Sequence, residues 1–157
     1  MADVFGLQFL DGARDKVVLL MEALKTTMSS GYDPTFSYVY DSHSTAKLQL
    51  NAVSVEVLEA ENESIGVASG PVVEWQIAVS CRIHTAYQGE RFNERDTMRL
   101  AESVANKLQT NLFTYKTDGY WIDRVISAKN QQDFESSATI GAEVIVTMKY
   151  IAEYTQE

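Results

Sequence analysis

The chain has little of what usually signals covalent architecture or chemistry. Its single cysteine, Cys81, excludes an internal disulfide and fits a reducing compartment. Its two histidines, His43 and His84, lie far apart and make neither an HExxH pattern nor any recognisable ligand spacing. No GxSxG, P-loop, GxGxxG or CxxC occurs, and no strand–glycine–helix arrangement surrounds Gly66 and Gly70. No apolar run exceeds Val17–Met21, far short of the roughly 20 residues that a membrane span requires. The first residues carry no basic segment followed by an apolar one, so no signal peptide is expected, and the Asn62-Glu63-Ser64 sequon reads as chance. Basic residues are scarce too. Thirteen Lys and Arg against twenty-two Asp and Glu give a net charge of −9 and a pI near 4.7. Such a surface repels phosphate backbones, and Arg91, Arg95 and Arg99 are interleaved with Glu90, Glu94 and Asp96.

What is present describes an ordinary globular domain. The 157 residues are 45% apolar and 22% charged, enough to bury roughly 70% of the unfolded surface in one core. From Ala13 to Ser30, Val17, Leu20, Met21, Leu24 and Met28 recur at helical spacing, with Asp11 or Asp15 as a cap and Gly31 as the stop. Tyr32-Asp33-Pro34 turns the chain into a short strand, Phe36–Tyr40. A strand from about Lys47 to Leu58 follows, then a loop over Glu59–Pro71. The clearest strand is Val72–Tyr87, where Val73, Trp75, Ile77, Val79, Cys81 and Ile83 alternate with polar or small residues. It is expected to pair with Lys47–Leu58 as a long antiparallel hairpin. A second helix runs from Asn93 to about Thr114 with the stripe Met98, Ala101, Val104, Ala105, Leu108 and Leu112. Tyr120–Lys129 is a less regular strand, and Ala138–Tyr154 alternates well. There is no repeat, low-complexity tract or dividing linker. The order predicts one α+β domain, a two-layer sandwich in which a four- to five-stranded antiparallel or mixed sheet carries two helices on one face.

Within that plan, no catalytic, cofactor-binding or metal-ligating residue is assigned. Cys81 is in phase with Val79 and Ile83 and reads as a core thiol. His43 falls in a polar connection and His84 on the polar face of its strand, both read as solvated or structurally bonded. Glu56, Glu59, Glu61 and Glu63 form the most conspicuous charge group, without the turn glycine and alternation of a calcium loop. The segment 41–74 holds six acids and one lysine, a net −5 of the total −9. These glutamates are the candidate partner or lumen contact, against a plainer reading as a solvated hairpin tip. Tyr87, Phe92, Phe113, Tyr115, Tyr120 and Trp121 gather near the ends of the second helix, closing the core or covering an interface.

The layout of amphipathic helix, short strand, long loose-tipped hairpin, second helix and closing hairpin resembles the tail terminator proteins of long-tailed bacteriophages, the minor tail protein U type. The likeness covers nearly the whole chain and lies in element order, length and patterning. It implies a non-enzymatic virion protein, without cofactor, assembled in the host cytoplasm. Such a protein forms a homohexameric ring on the tail tube protein, ends tube growth and offers the head-closure or connector protein a joining surface. DNA would pass through such a ring without specific binding, and no membrane is involved. Two other readings remain: another neck ring protein such as a head-closure protein, and a small α+β ligand-binding or regulatory domain.

Overall fold

A strand that alternates apolar and polar residues can bury only one side, so a sheet of such strands needs a helical layer on that side alone. The computed structural model, which describes residues 8–28, 35–43, 51–63, 72–86, 94–111, 113–132 and 139–153, has this form. The elements run α1 (Gln8–Met28), β1 (Tyr38–Tyr40), β2 (Ala52–Glu63), β3 (Val72–Ala86), α2 (Glu94–Gln109), a 3-10 turn (Lys116–Asp118), β4 (Tyr120–Gln132) and β5 (Thr139–Glu153). One mixed sheet has the order β1-β2-β3-β5-β4, with β1 parallel to β2 and every other pair antiparallel. The expected α+β architecture, with two helices and five strands, is therefore the observed one.

The inner face is built in rows across the ladder. Val53, Ile83 and Ala142 make one row, and Val55, Cys81 and Val144 the next. Val79, Val146 and Val125 follow, then Ile77, Met148 and Ile122. Helix α1 lies over the β2–β3 side, burying Ala13, Val17, Leu20, Met21, Leu24 and Met28. Helix α2 lies over the β5–β4 side through Leu100, Ala101, Val104 and Leu108, and the two helices touch. Cys81 is fully enclosed in this core, and burial pushes its thiol up to about 12. Trp75 holds the inner-face phase expected of it but is only half buried, its ring centroid 4.9 Å from that of Phe9 and tilted to it at the end of the sheet.

Several boundaries differ from the sequence reading. Helix α1 begins before Ala13, so Asp11 and Asp15 are not caps. Both lie inside the helix, and both pair with Arg14. Helix α2 ends at Gln109, short of Thr114. The largest change concerns Glu59–Glu63, which continues β2 as strand where a loop was expected. Leu58 is an extra residue, since Val57 pairs with Val79 and Glu59 with Ala78. This β-bulge interrupts the alternation without ending the strand. The expected helix stop at Gly31, the loop 64–71 and the aromatics Tyr87 and Phe92 lie outside the described residues.

Helix α1 is pinned to the far edge of the sheet at one close approach. The Tyr120 hydroxyl donates to the Phe9 carbonyl (2.9 Å), and its ring lies directly against Gly12. A Cβ on Gly12 would collide with that hydroxyl and lie 3.0 Å from Cζ. Glycine inside a helix normally costs about 1 kcal/mol relative to alanine, so Gly12→Ala at an open site would stabilise. Here it is expected to destabilise by about 1–3 kcal/mol, because the hydroxyl must leave its acceptor. Urea unfolding of Gly12→Ala, alone and with Tyr120→Phe, tests the contact through a double-mutant cycle. The penalty is expected to shrink in the Phe background. A stabilised single variant would show that the approach is loose.

Candidate functional site on the helix-free face of the sheet

Alternation sends Ser54 and Glu56 of β2, Ser80, Arg82 and His84 of β3, and Glu143 of β5 to the face that carries no helix among the described residues. Polar residues there are expected to meet water. Instead Ser54 and Ser80 are fully buried, and His84 and Glu143 nearly so. Part of the reason is His43, which follows β1 and lies buried over this face. Its Nδ1 is 2.7 Å from Ser54 Oγ and its Nε2 is 3.0 Å from Ser80 Oγ. Ser54 Oγ also meets His84 Nε2 at 2.9 Å. Ser80 donates to Glu143 Oε2 (2.7 Å), which also accepts from Arg82 Nε (3.2 Å).

The carboxylate sets the direction of the whole chain. Ser80 spends its proton on Glu143, so Ser80 Oγ accepts from His43 Nε2–H. A neutral His43 then has a bare Nδ1, which accepts the Ser54 hydroxyl. Ser54 Oγ in turn accepts from His84 Nε2–H. Both imidazoles are thereby assigned the Nε2–H tautomer. The protonation tendencies agree. Burial, then the Arg82 charge, pushes both histidines down to about 4, with a further small push on His43 from His84.

Chemically, this is not a nucleophile–base–acid relay. In such a relay the histidine stands between hydroxyl and acid, whereas here Ser80 stands between His43 and Glu143 and gives its proton to the acid. Neither hydroxyl is open to a substrate. Sequence reasoning treated the two histidines separately. No spacing signal was available, because the pairing of β2 with β3 and the position of His43 over the sheet bring them together. Among the described residues, no group of His, Cys, Asp or Glu is placed to hold a metal ion.

The four candidate glutamates sit on the same face. In a strand without a bulge, the odd spacing from Glu56 to Glu59 would place them on opposite sides. The bulge restores phase, pairing Glu56 with Ser80, Glu59 with Ala78, Glu61 with Gln76 and Glu63 with Glu74. The result is one outward acidic row along β2, in which Glu59 and Glu61 are exposed and Glu56 is half buried. Next to it, Glu74 pairs with Lys149 at 3.0 Å. Of the expected aromatic group, Tyr120 is buried, Phe113 is exposed, and Tyr115 lies under Lys16. The stack that forms is Phe9, Trp75, Tyr150 and Tyr120, drawn from four elements, with Tyr150 5.2 Å from Phe9 and 4.6 Å from Tyr120. No helix is long and apolar enough to cross a membrane among the described residues.

Neither any protein-family model nor any curated protein matches the chain.

Ser54 is the joint of the polar network, being donor to one histidine and acceptor from the other. Ser54→Ala strips both partners inside a closed face, at a cost of about 2–4 kcal/mol by the usual penalty for unmatched buried groups. Ser37→Ala, on an exposed side chain, is expected to stay within about 0.5 kcal/mol. Chemical denaturation of the two variants checks the contrast, and equal effects would mean that the network contributes little.

Proposed function

We propose that the chain is a structural subunit of a phage neck. It forms a homohexameric ring that caps the tail tube, stops its polymerisation and joins the tube to the head-closure or connector protein. In this reading it is not an enzyme, takes no cofactor and lets DNA pass without specific binding. The observation that carries the reading is the acidic row Glu56, Glu59, Glu61 and Glu63 on the helix-free face, in a chain of net charge −9. An acidic surface repels DNA in transit or meets a basic partner, and either use is screened beyond a Debye length of about 8 Å. Self-assembly finds support at the sheet edges. Beyond Ser54, β2 has no strand neighbour among the described residues, and neither has the outer side of β4. Both edges carry bulges, which discourage open-ended strand pairing and favour side-chain contacts between neighbours. A head-to-tail contact of this kind closes into a ring when its rotation closes.

Light scattering with negative-stain imaging tests the reading directly. A ring with an open centre is expected, and a small monomer would overturn it. Charge reversal of Glu59, Glu61 and Glu63 to Lys should leave the fold intact, because Glu59 and Glu61 are exposed and Glu63 is paired at the end of β2 with Glu74 of β3. The triple variant is expected to join tails less well or to retain DNA. Ring formation, DNA retention and infectious assembly in a complementation assay supply the readouts. Wild-type behaviour on all three would reduce the row to a solvated edge.

A further inference from the structure

The hydrogen-bond chain on the helix-free face is directional, and at His43 Nδ1 it needs an acceptor. Each link uses one donor and one acceptor, from His84 through Ser54, His43 and Ser80 to Glu143. A proton added to His43 Nδ1 turns that acceptor into a donor. The Ser54 oxygen would then receive N–H groups from both imidazoles, and its own hydroxyl proton would lose its acceptor in a fully buried position. The new imidazolium would also share the site with the Arg82 guanidinium. Glu143 is already engaged by Ser80 and Arg82.

We infer that this chain is an acid-sensitive latch: on taking up a proton, His43 leaves the sheet and uncovers the buried polar part of the helix-free face, while the helix-packed core stays folded. Of the other titratable and charged groups, Arg82 and His84 of β3 and Glu143 of β5 act on His43 directly. By register, Tyr38 and Tyr40 of β1 and Glu56 of β2 belong to the same face, and Lys129 of β4 is the register partner of Glu143. Asp41 precedes His43 on its own segment and is exposed. The inner face answers differently. Its titratable groups among the described residues are Cys81, Tyr120 and the half-buried Tyr150; burial raises the first two, so neither Cys81 nor Tyr120 takes up a proton on mild acidification.

The sign follows from linkage. A histidine held down to about 4 when closed and near 6.5 when released binds more protons in the released state between those values. Closure is therefore fully favoured above pH 6.5 and is lost progressively as the pH falls towards 4. From these two values, release of His43 alone raises the open fraction on the order of thirtyfold at pH 5. Stopping at pH 5 stays above the ordinary carboxylate range of about 4. The inference does not rest on the ring reading.

Hydrogen exchange of the full chain, corrected for the intrinsic pH dependence of exchange, tests it at pH 7 and pH 5. The region 38–43 is expected to exchange on the order of thirtyfold faster at pH 5, with 77–83 of β3 unchanged. Imidazole nitrogen shifts at pH 7 are expected to report the Nε2–H tautomer for both histidines. The double variant His43→Gln/His84→Gln is expected to lose the acid response, whether its segment is open or closed at pH 7. A wild-type segment that does not respond, a β3 that opens together with it, or a double variant that keeps the response would each overturn the latch. If the variant does not fold, the wild-type exchange pattern decides alone.

Discussion

The β3–β5 ladder runs through fifteen residue pairs, from Val72 with Glu153 to Ala86 with Thr139, without one register shift. Its length and regularity place every other element. Because side chains alternate strictly along it, a single choice of face settles where Ile77, Val79, Cys81 and Ile83 point, and where Val144, Val146 and Met148 must meet them. The flanking strands β2 and β4 carry the irregularities, each taking up extra residues to stay in phase with the central pair. Both helices then have one continuous apolar surface to cover. The pinning of Gly12 against Tyr120 fixes where α1 crosses that surface.

The two faces of the sheet are closed by different physics. The inner face is mostly apolar, and its stability comes chiefly from apolar area removed from water. The outer face near Ser54 and Ser80 is closed around polar groups, which is favourable only when their donors and acceptors are matched. Apolar packing tolerates small shifts of position, whereas a directed hydrogen-bond chain fails at a single link. Arg82, with about a third of its side chain exposed, lies where the network meets solvent.

Much of this fold could be read from the residues, and the places where reading stopped have one cause. Strand β3 and most of β5 alternate without interruption, so their faces and boundaries were evident. In β2 the inward positions run Val53, Val55, Val57 and then Ala60, and the broken step at Leu58 made the strand seem to end. Strand β4 looked irregular for the same reason. Its inward residues include Tyr120, Ile122 and Val125, unevenly spaced because Asp123 is extra to the ladder, as Ile126 is further on. A bulge is invisible to a period-two pattern, since only the partner strand reveals which residue is surplus. The polar network was hidden more deeply. Its members come from β2, β3, β5 and the segment after β1, and none is within two residues of another except along β3. The glutamates were visible as a group, but their alignment into one row shows only once Leu58 is known to be surplus to the ladder.

That surplus residue also gives the strand an unusual tolerance to changes in length. Removing one residue from the middle of a strand ordinarily turns everything beyond it inside out. Leu58 has no opposite number on β3, and Val57 and Glu59 already face consecutive partners, Val79 and Ala78. A gene that lost the Leu58 codon would encode a β2 with all its present partners and a straighter edge. Loss of Val57 would be absorbed in the same way, with Leu58 taking its place opposite Val79, whereas loss of Val55 would put Glu56 at an inward position. Codon 58 is thus a position in β2 where the reading of the sheet survives a deletion, so drift in strand length is permitted there.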